Sequence, residues 1–141
     1  PPNQLGLVQA EANAIAPVKR MLRALPPTLV VDSTGKVLLV VGAAGGPTII
    51  TATTQAILNV IDHHMSLADA MSAPRIHQQA WPDKLTYERG GLTTAVADSL
   101  TAMGYALAPV RHLANANAVM RVAGGWEGMV EPRSTGGARG Y

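Results

Sequence analysis

The chain has no cysteine, which excludes disulfides, thiolate catalysis and cysteine-ligated metal and leaves the redox compartment open. Charge is scarce too. Asp, Glu, Lys and Arg make up 14% of the 141 residues, against about 25% in an ordinary soluble domain. Hydrophobic residues stand at an ordinary 48%. The missing charge therefore points either to surface covered by something else or to a neutral surface of Ala, Thr and Asn. Lys plus Arg is 11 and Asp plus Glu is 9, a formal net charge of +2. That small excess forms no basic tract, so nucleic acid is not the default partner. No stretch approaches the roughly 18 consecutive apolar residues that span a bilayer, and no basic-then-apolar leader opens the chain. The first residues are Pro1 and Pro2, not methionine, as expected of a chain that was cut or processed. The length suits one compact domain or part of a larger one.

Residues 1–27 hold five prolines and lack strand alternation. They predict an extended segment with at most one helical turn, around Lys19 to Leu22. Thr28 to Asp32 and Val37 to Gly42 are β-branched apolar runs joined by Ser33-Thr34-Gly35-Lys36, a loop of hairpin length. Neither run alternates, which predicts a hairpin buried on both faces. Ile50, Ile57, Val60 and Ile61 recur at helical spacing over Pro47 to His64, with Pro47 suited to a first helical turn. A short helix over Ser66 to Ser72 is capped by Ser66 with Asp69 three residues on. Lys84 to Glu88 reads as a strand and Leu92 to Met103 as a helix closed by Gly104. Tyr105 to Ala108, Ala118 to Val122 and Gly128 to Val130 read as further short strands. The order predicts a layered α/β or α+β fold with helices on a mostly antiparallel sheet. Three helices cover one face of such a sheet well and the other in part, which again implies a partner.

The strongest local feature is Gly42-Ala43-Ala44-Gly45-Gly46, set between a strand and a helix start. Consecutive glycines bring backbone N–H groups close to a ligand, and a helix N-terminus adds unpaired donors. Such a turn suits a phosphate, a carboxylate or the oxyanion of acyl transfer, or it is a tight turn with no ligand. The Gly-Lys-Ser/Thr of a P-loop is missing, and no acidic residue completes a dinucleotide fingerprint. His63 and His64 are adjacent, not at the three- or four-residue spacing that metal ligation from one helix needs, and they suit a helix C-terminus. His77, in the polar run Arg75-Ile76-His77-Gln78-Gln79, reads as a structural hydrogen-bond hub. There is no Gly-x-Ser-x-Gly elbow, and no carboxylate pair stands out for acid–base work. The chain reads as half of a site.

Several segments in order carry a family likeness: Glu11-Ala12-Asn13-Ala14 with Pro17 and Lys19-Arg20-Met21-Leu22, then Pro27-Thr28-Leu29-Val30-Val31. Gly42-Ala43-Ala44-Gly45-Gly46 with Ile49-Ile50-Thr51 follows, then Ile57-Leu58-Asn59-Val60-Ile61-Asp62 and Ala73-Pro74-Arg75-Ile76-His77. Pro82-Asp83-Lys84-Leu85, Glu131-Pro132-Arg133-Ser134 and Gly140-Tyr141 complete the set. Together they resemble the C-terminal three quarters of the small subunit of γ-glutamyltranspeptidases.

That resemblance implies an α+β fold, part of the αββα sandwich of an N-terminal-nucleophile hydrolase, with residues 1–141 as a single partial domain. It implies a precursor that cleaves itself into a large and a small subunit. The partners of this chain are then the large subunit and the N-terminal part of the small one. The new N-terminal threonine, which lies before Pro1, attacks a γ-glutamyl amide such as glutathione and passes the glutamyl group to water or an acceptor amine. No cofactor and no metal are called for, and this chain alone is expected to be inactive. Bacterial members are exported to the periplasm or the medium. The family's paired glycines match Gly45 and Gly46, whose backbone N–H groups would form the oxyanion hole; Ala43 and Ala44 replace the usual Ser-Pro before them. The family's serine pair, which binds the donor α-carboxylate, falls on Arg23 and Ala24. Two hydroxyls are lost there and a guanidinium appears, which predicts a donor other than glutathione, still a small γ-glutamyl compound, a γ-glutamyl polymer or a glutaryl-type amide. Two alternatives stay open: an acylase of the same fold acting on glutaryl-type amides, and a non-catalytic homologue that binds a small acidic ligand.

Overall fold

The computed structural model describes residues 10–20 and 26–140. A single turn of 3-10 helix spans Glu11–Asn13, earlier than the turn expected around Lys19 to Leu22. Lys19 and Arg20 are irregular, and Met21 and Leu22 lie outside the described residues.

Strand β1 (Thr28–Val31) and strand β2 (Val37–Ala44) form the expected antiparallel hairpin. Its loop is fixed by Asp32, whose carboxylate accepts from the Thr34 N–H at 2.8 Å, the Thr34 hydroxyl at 2.6 Å and the Lys36 N–H at 3.1 Å. Gly35 supplies the left-handed residue at φ 81. The Thr34 hydroxyl, and then the Arg121 guanidinium paired with Asp32, hold that carboxyl below the usual carboxylate range. Strand β6 (Asn115–Val122) pairs antiparallel with β2, and β7 (Gly125–Met129) with β6, giving the order β1-β2-β6-β7.

Helix α1 (Thr48–Ile61) buries Ile49, Ala52, Thr53 and Ala56, a stripe at helical spacing that faces this sheet. Helix α2 (Leu67–Ser72) begins at Ser66, whose side chain accepts from the Asp69 N–H at 3.1 Å as the cap predicted. Leu39, Val41, Ala56, Leu67, Met71, Ala116 and Ala118 make the core between these helices and the sheet. Alanine on both sides of the interface lets helix and sheet approach closely.

The opposite face of the sheet is bare. Leu29 pairs with Val40, Val40 with Val119 and Val119 with Gly128, so one row crosses all four strands on that side. Leu29 is 62% exposed, Val119 42% and Trp126 56%. The expectation of a hairpin buried on both faces is thus corrected. Among the described residues the helices cover one side only, and on the other side Ala138 of the tail approaches the row at Gly128.

A second, three-stranded sheet has the order β3-β4-β5, from β3 (Ile76–His77), β4 (Leu85–Glu88) and β5 (Leu107–Val110). Its β4–β5 pair is parallel, with helix α3 (Thr94–Ala102) as the crossover. None of the residues of α3 is buried. The expected single, mostly antiparallel sheet is therefore two sheets, one wholly antiparallel and one mixed. Strand β3 falls where the polar run around His77 predicts a loop. Pairing with β4 makes it a strand, and Gln55 satisfies Ile76 from the side, its amide nitrogen donating to the Ile76 carbonyl and its amide oxygen accepting from the Ile76 N–H.

Candidate functional site

Strand β2 runs out into Gly45, at φ 150, and Gly46, at φ 61, and Pro47 then opens α1 at φ −65. Both glycine conformations disfavour an L side chain, so the sequence places glycine where the backbone demands it. The Gly45 carbonyl accepts from the Thr48 N–H at 3.3 Å and from the Thr48 hydroxyl at 2.9 Å, and the Gly46 carbonyl accepts from the Ile49 N–H at 3.2 Å. These bonds turn the carbonyls into the helix. Neither the Gly45 nor the Gly46 N–H donates a hydrogen bond among the described residues. Two unengaged donors beside the positive end of a 14-residue helix can hold an anion or a carbonyl oxygen that becomes one. The turn continues from Gly42 and Ala44, whose partners Asn117 and Asn115 alternate with the core-facing Ala116 and Ala118. That register sets both asparagines on the bare face of the sheet.

Behind the turn lies a buried cluster of two arginines and two glutamates that no local pattern announces. Arg75 Nη1 donates to Glu131 Oε2 at 2.8 Å and to the carbonyls of Leu113 at 2.9 Å and Ala114 at 3.3 Å. Arg133 Nη1 donates to Glu131 Oε1 and Arg133 Nη2 to Glu88 Oε2, each at 2.8 Å. Glu88 also accepts from the Arg75 N–H at 2.9 Å and the Leu113 N–H at 2.6 Å. Arg75, Glu88 and Glu131 are all buried. The cluster is neutral overall and nearly saturated with hydrogen bonds, the condition under which buried charge is tolerated. Burial pushes the Glu131 carboxyl upward, but the Ala116 N–H, Arg133 and Arg75 outweigh it and leave the group below its ordinary value. Glu88 and Glu131 are bridged by Arg133, a carboxylate pair that sequence spacing does not announce. The one visible hint was the repeated Pro-Arg, at Pro74-Arg75 and Pro132-Arg133.

His77 is the hydrogen-bond hub that its context predicts. It is buried, with Nδ1 2.9 Å from Thr51 Oγ1 and Nε2 3.0 Å from Gln79 Oε1. His63 and His64 follow the C-terminal end of α1, exposed. No group of three or more potential ligands gathers for a metal among the described residues. Arg23 and Ala24 lie outside the described residues.

The family model described as Gamma-glutamyltranspeptidase matches residues 1–141. A glutathione hydrolase proenzyme of Pseudomonas sp. (strain A14) is 43% identical over 116 residues, 80% of this chain and 20% of that protein. A glutathione hydrolase proenzyme of Escherichia coli (strain K12) is 47% identical over 89 residues, 63% of this chain and 15% of that protein. The chain therefore spans a fifth or less of the length of these relatives. Among solved structures, the T380A mutant of Helicobacter pylori gamma-glutamyltranspeptidase superposes with a TM-score of 0.88 at 42% identity, covering 95% of this chain and 74% of that one.

Proposed function

The chain belongs to the γ-glutamyltranspeptidase family, and from that premise we propose that it is the C-terminal part of a small subunit whose whole enzyme cleaves γ-glutamyl amides. In this reading its contribution to the reaction is an oxyanion hole made of the Gly45 and Gly46 N–H groups. The observation that supports it most is the turn itself: two adjacent N–H groups without partners among the described residues, at the start of a helix.

The nucleophile is a threonine of the companion segment, activated by its own α-amine. Its oxygen bonds to the γ-carbonyl carbon while the amine takes the hydroxyl proton, and the carbonyl oxygen becomes an anion. Donors fixed before the reaction stabilise that anion without reorganising, an effect worth about 10²–10³ in rate for a single donor. Collapse of the intermediate breaks the carbon–nitrogen bond, and the departing amine carries the proton away. Water or an acceptor amine then attacks the glutamyl ester through a second intermediate held by the same donors. Arg23 and Ala24 stand where the family binds the donor's carboxylate, and we assign that carboxylate to the Arg23 guanidinium.

The large subunit and the N-terminal part of the small subunit are the partners in this reading. They complete the αββα sandwich over the bare row of Leu29, Val40 and Val119, which accounts for the low surface charge. Among the described residues no helix is long and apolar enough to cross a membrane. Export to the periplasm or the medium follows from the family resemblance.

Expression of the whole precursor tests this reading. Two polypeptides are expected under denaturing conditions, the smaller beginning with threonine, and release of aniline from a γ-glutamyl anilide. A glutaryl anilide cleaved in preference would make the enzyme an acylase of the same fold. A precursor that stays uncut and releases neither would reduce the chain to a non-catalytic homologue and overturn the proposal.

A further inference from the structure

The Gly45–Gly46 turn is gripped from two sides by groups that the reaction itself leaves idle. On the helix side the Thr48 hydroxyl donates to the Gly45 carbonyl at 2.9 Å. On the other side lies Ala114: a Cβ added to Gly45 would stand 2.8 Å from Ala114 Cα and 3.0 Å from Ala114 Cβ. The two backbones are therefore in close contact. Ala114 is buried and sits at φ 59, a conformation an alanine keeps only where its surroundings impose it. Here they do. Arg75 Nη1 holds the Leu113 and Ala114 carbonyls, and Glu88 Oε1 accepts the Leu113 N–H at 2.6 Å.

We propose that Thr48 and Glu88 are positioning residues for the oxyanion turn, Thr48 through the Gly45 carbonyl and Glu88 through the Leu113-Ala114 segment; this rests on the oxyanion reading of Gly45 and Gly46. Neither side chain touches the reacting atoms. Each removes a direction in which the Gly45–Gly46 peptide could rotate its N–H groups away from the nascent anion. A donor must stand within about 2.7–3.1 Å of that anion to stabilise it. Rotation of the peptide by a few tenths of an ångström therefore lowers the rate without changing how the donor substrate is held.

The test uses the whole precursor, matured to two subunits and assayed with a γ-glutamyl anilide. Thr48→Val keeps the side-chain shape and removes the hydroxyl. We expect kcat to fall about tenfold or more, with KM within about twofold and an unchanged Tm. Thr48→Ser retains the hydroxyl and should retain kcat. Glu88→Gln turns an amide NH2 against one of the N–H groups that Glu88 accepts, so kcat and Tm should fall together. Leu67→Ala, in the core away from the turn, serves as a control that lowers Tm alone.

Wild-type kcat in Thr48→Val overturns the proposal for Thr48, the side chain that holds the Gly45 carbonyl directly. It is equally overturned for Glu88 if Glu88→Gln loses no more kcat than Leu67→Ala at matched Tm. If Glu88→Gln does not mature, Thr48→Val decides alone. A normally active Gly45→Ala would remove the oxyanion reading and this proposal together. A slow Gly45→Ala beside a normal Thr48→Val would remove the proposal for Thr48 and leave that reading standing.

Discussion

Replacing Gly45 by alanine sets a Cβ 2.6 Å from Thr48 Oγ1, 2.8 Å from Ala114 Cα and 3.0 Å from Ala114 Cβ. The Thr48 hydroxyl can swing away, at the loss of its bond to the Gly45 carbonyl. Ala114 cannot, because its carbonyl and that of Leu113 are tied to Arg75. Residue 45 must therefore retreat. Ordinary van der Waals contact begins near 3.4 Å, so the 2.8 Å approach requires a shift of about 0.6 Å (3.4 less 2.8). The window for an oxyanion donor is only about 0.4 Å wide, and the shift exceeds it. The backbone at φ 150 adds a cost of about 1–3 kcal/mol to any L side chain at this position. We expect kcat to fall about 10²–10³-fold, equivalent to about 2.7–4 kcal/mol, with KM little changed. The assay is steady-state anilide release by the matured two-chain enzyme, with the thermal midpoint recorded alongside. Wild-type kcat in a matured Gly45→Ala enzyme would refute the argument, since neither the clash nor the role of the turn could then be as described.

Arg23→Ala should raise KM for an anionic donor well beyond any effect on Tm, measured by kinetics with donors bearing and lacking the α-carboxylate; equal KM for both variants would remove Arg23 from the site. Met71→Ala opens a cavity in the core beneath the sheet and should destabilise by about 2–5 kcal/mol in denaturant unfolding, whereas an unchanged midpoint would mean that the core is not packed as described. Glu131 has a folded pKa below its ordinary 4.5, so its contribution to stability is complete above that value and is lost as pH falls through the lowered one. Unfolding followed from about pH 6 to about pH 3 should show a shallower acid slope in Glu131→Gln, and identical slopes would refute the assignment.

The parts of the fold legible in the sequence are those whose cause is local. Ser33-Thr34-Gly35-Lys36 encodes its own hairpin because Asp32 bonds residues two and four ahead. Ser66 and Asp69 encode the start of α2 in the same way. The Gly45–Gly46 turn could be placed because only glycine suits its backbone, and the family resemblance gave it a role. The rest depends on distant groups. Strand β3 exists because β4 pairs with it, and Gln55 reaches Ile76 from 21 residues away. The ion cluster joins Arg75 to Glu131 across 56 residues, a distance at which no spacing rule speaks. The apolar runs in β1 and β2 predict two covered faces, but periodicity does not distinguish a covered face from the exposed one that carries Leu29 and Val119.

The long reach of the ion cluster carries a consequence in time. The glycine turn and the strands β2 and β6 beside it lie at or before Val122 in the chain. The segment pressed against Gly45 is nonetheless pinned by Glu131 through the Ala116 N–H, and by Arg133 through Glu88. Strands β1, β2 and β6 and the helices can therefore assemble while the turn still lacks its backing. Glu131 and Arg133 follow every strand and helix of the described chain, so these late side chains decide when the turn acquires its final shape.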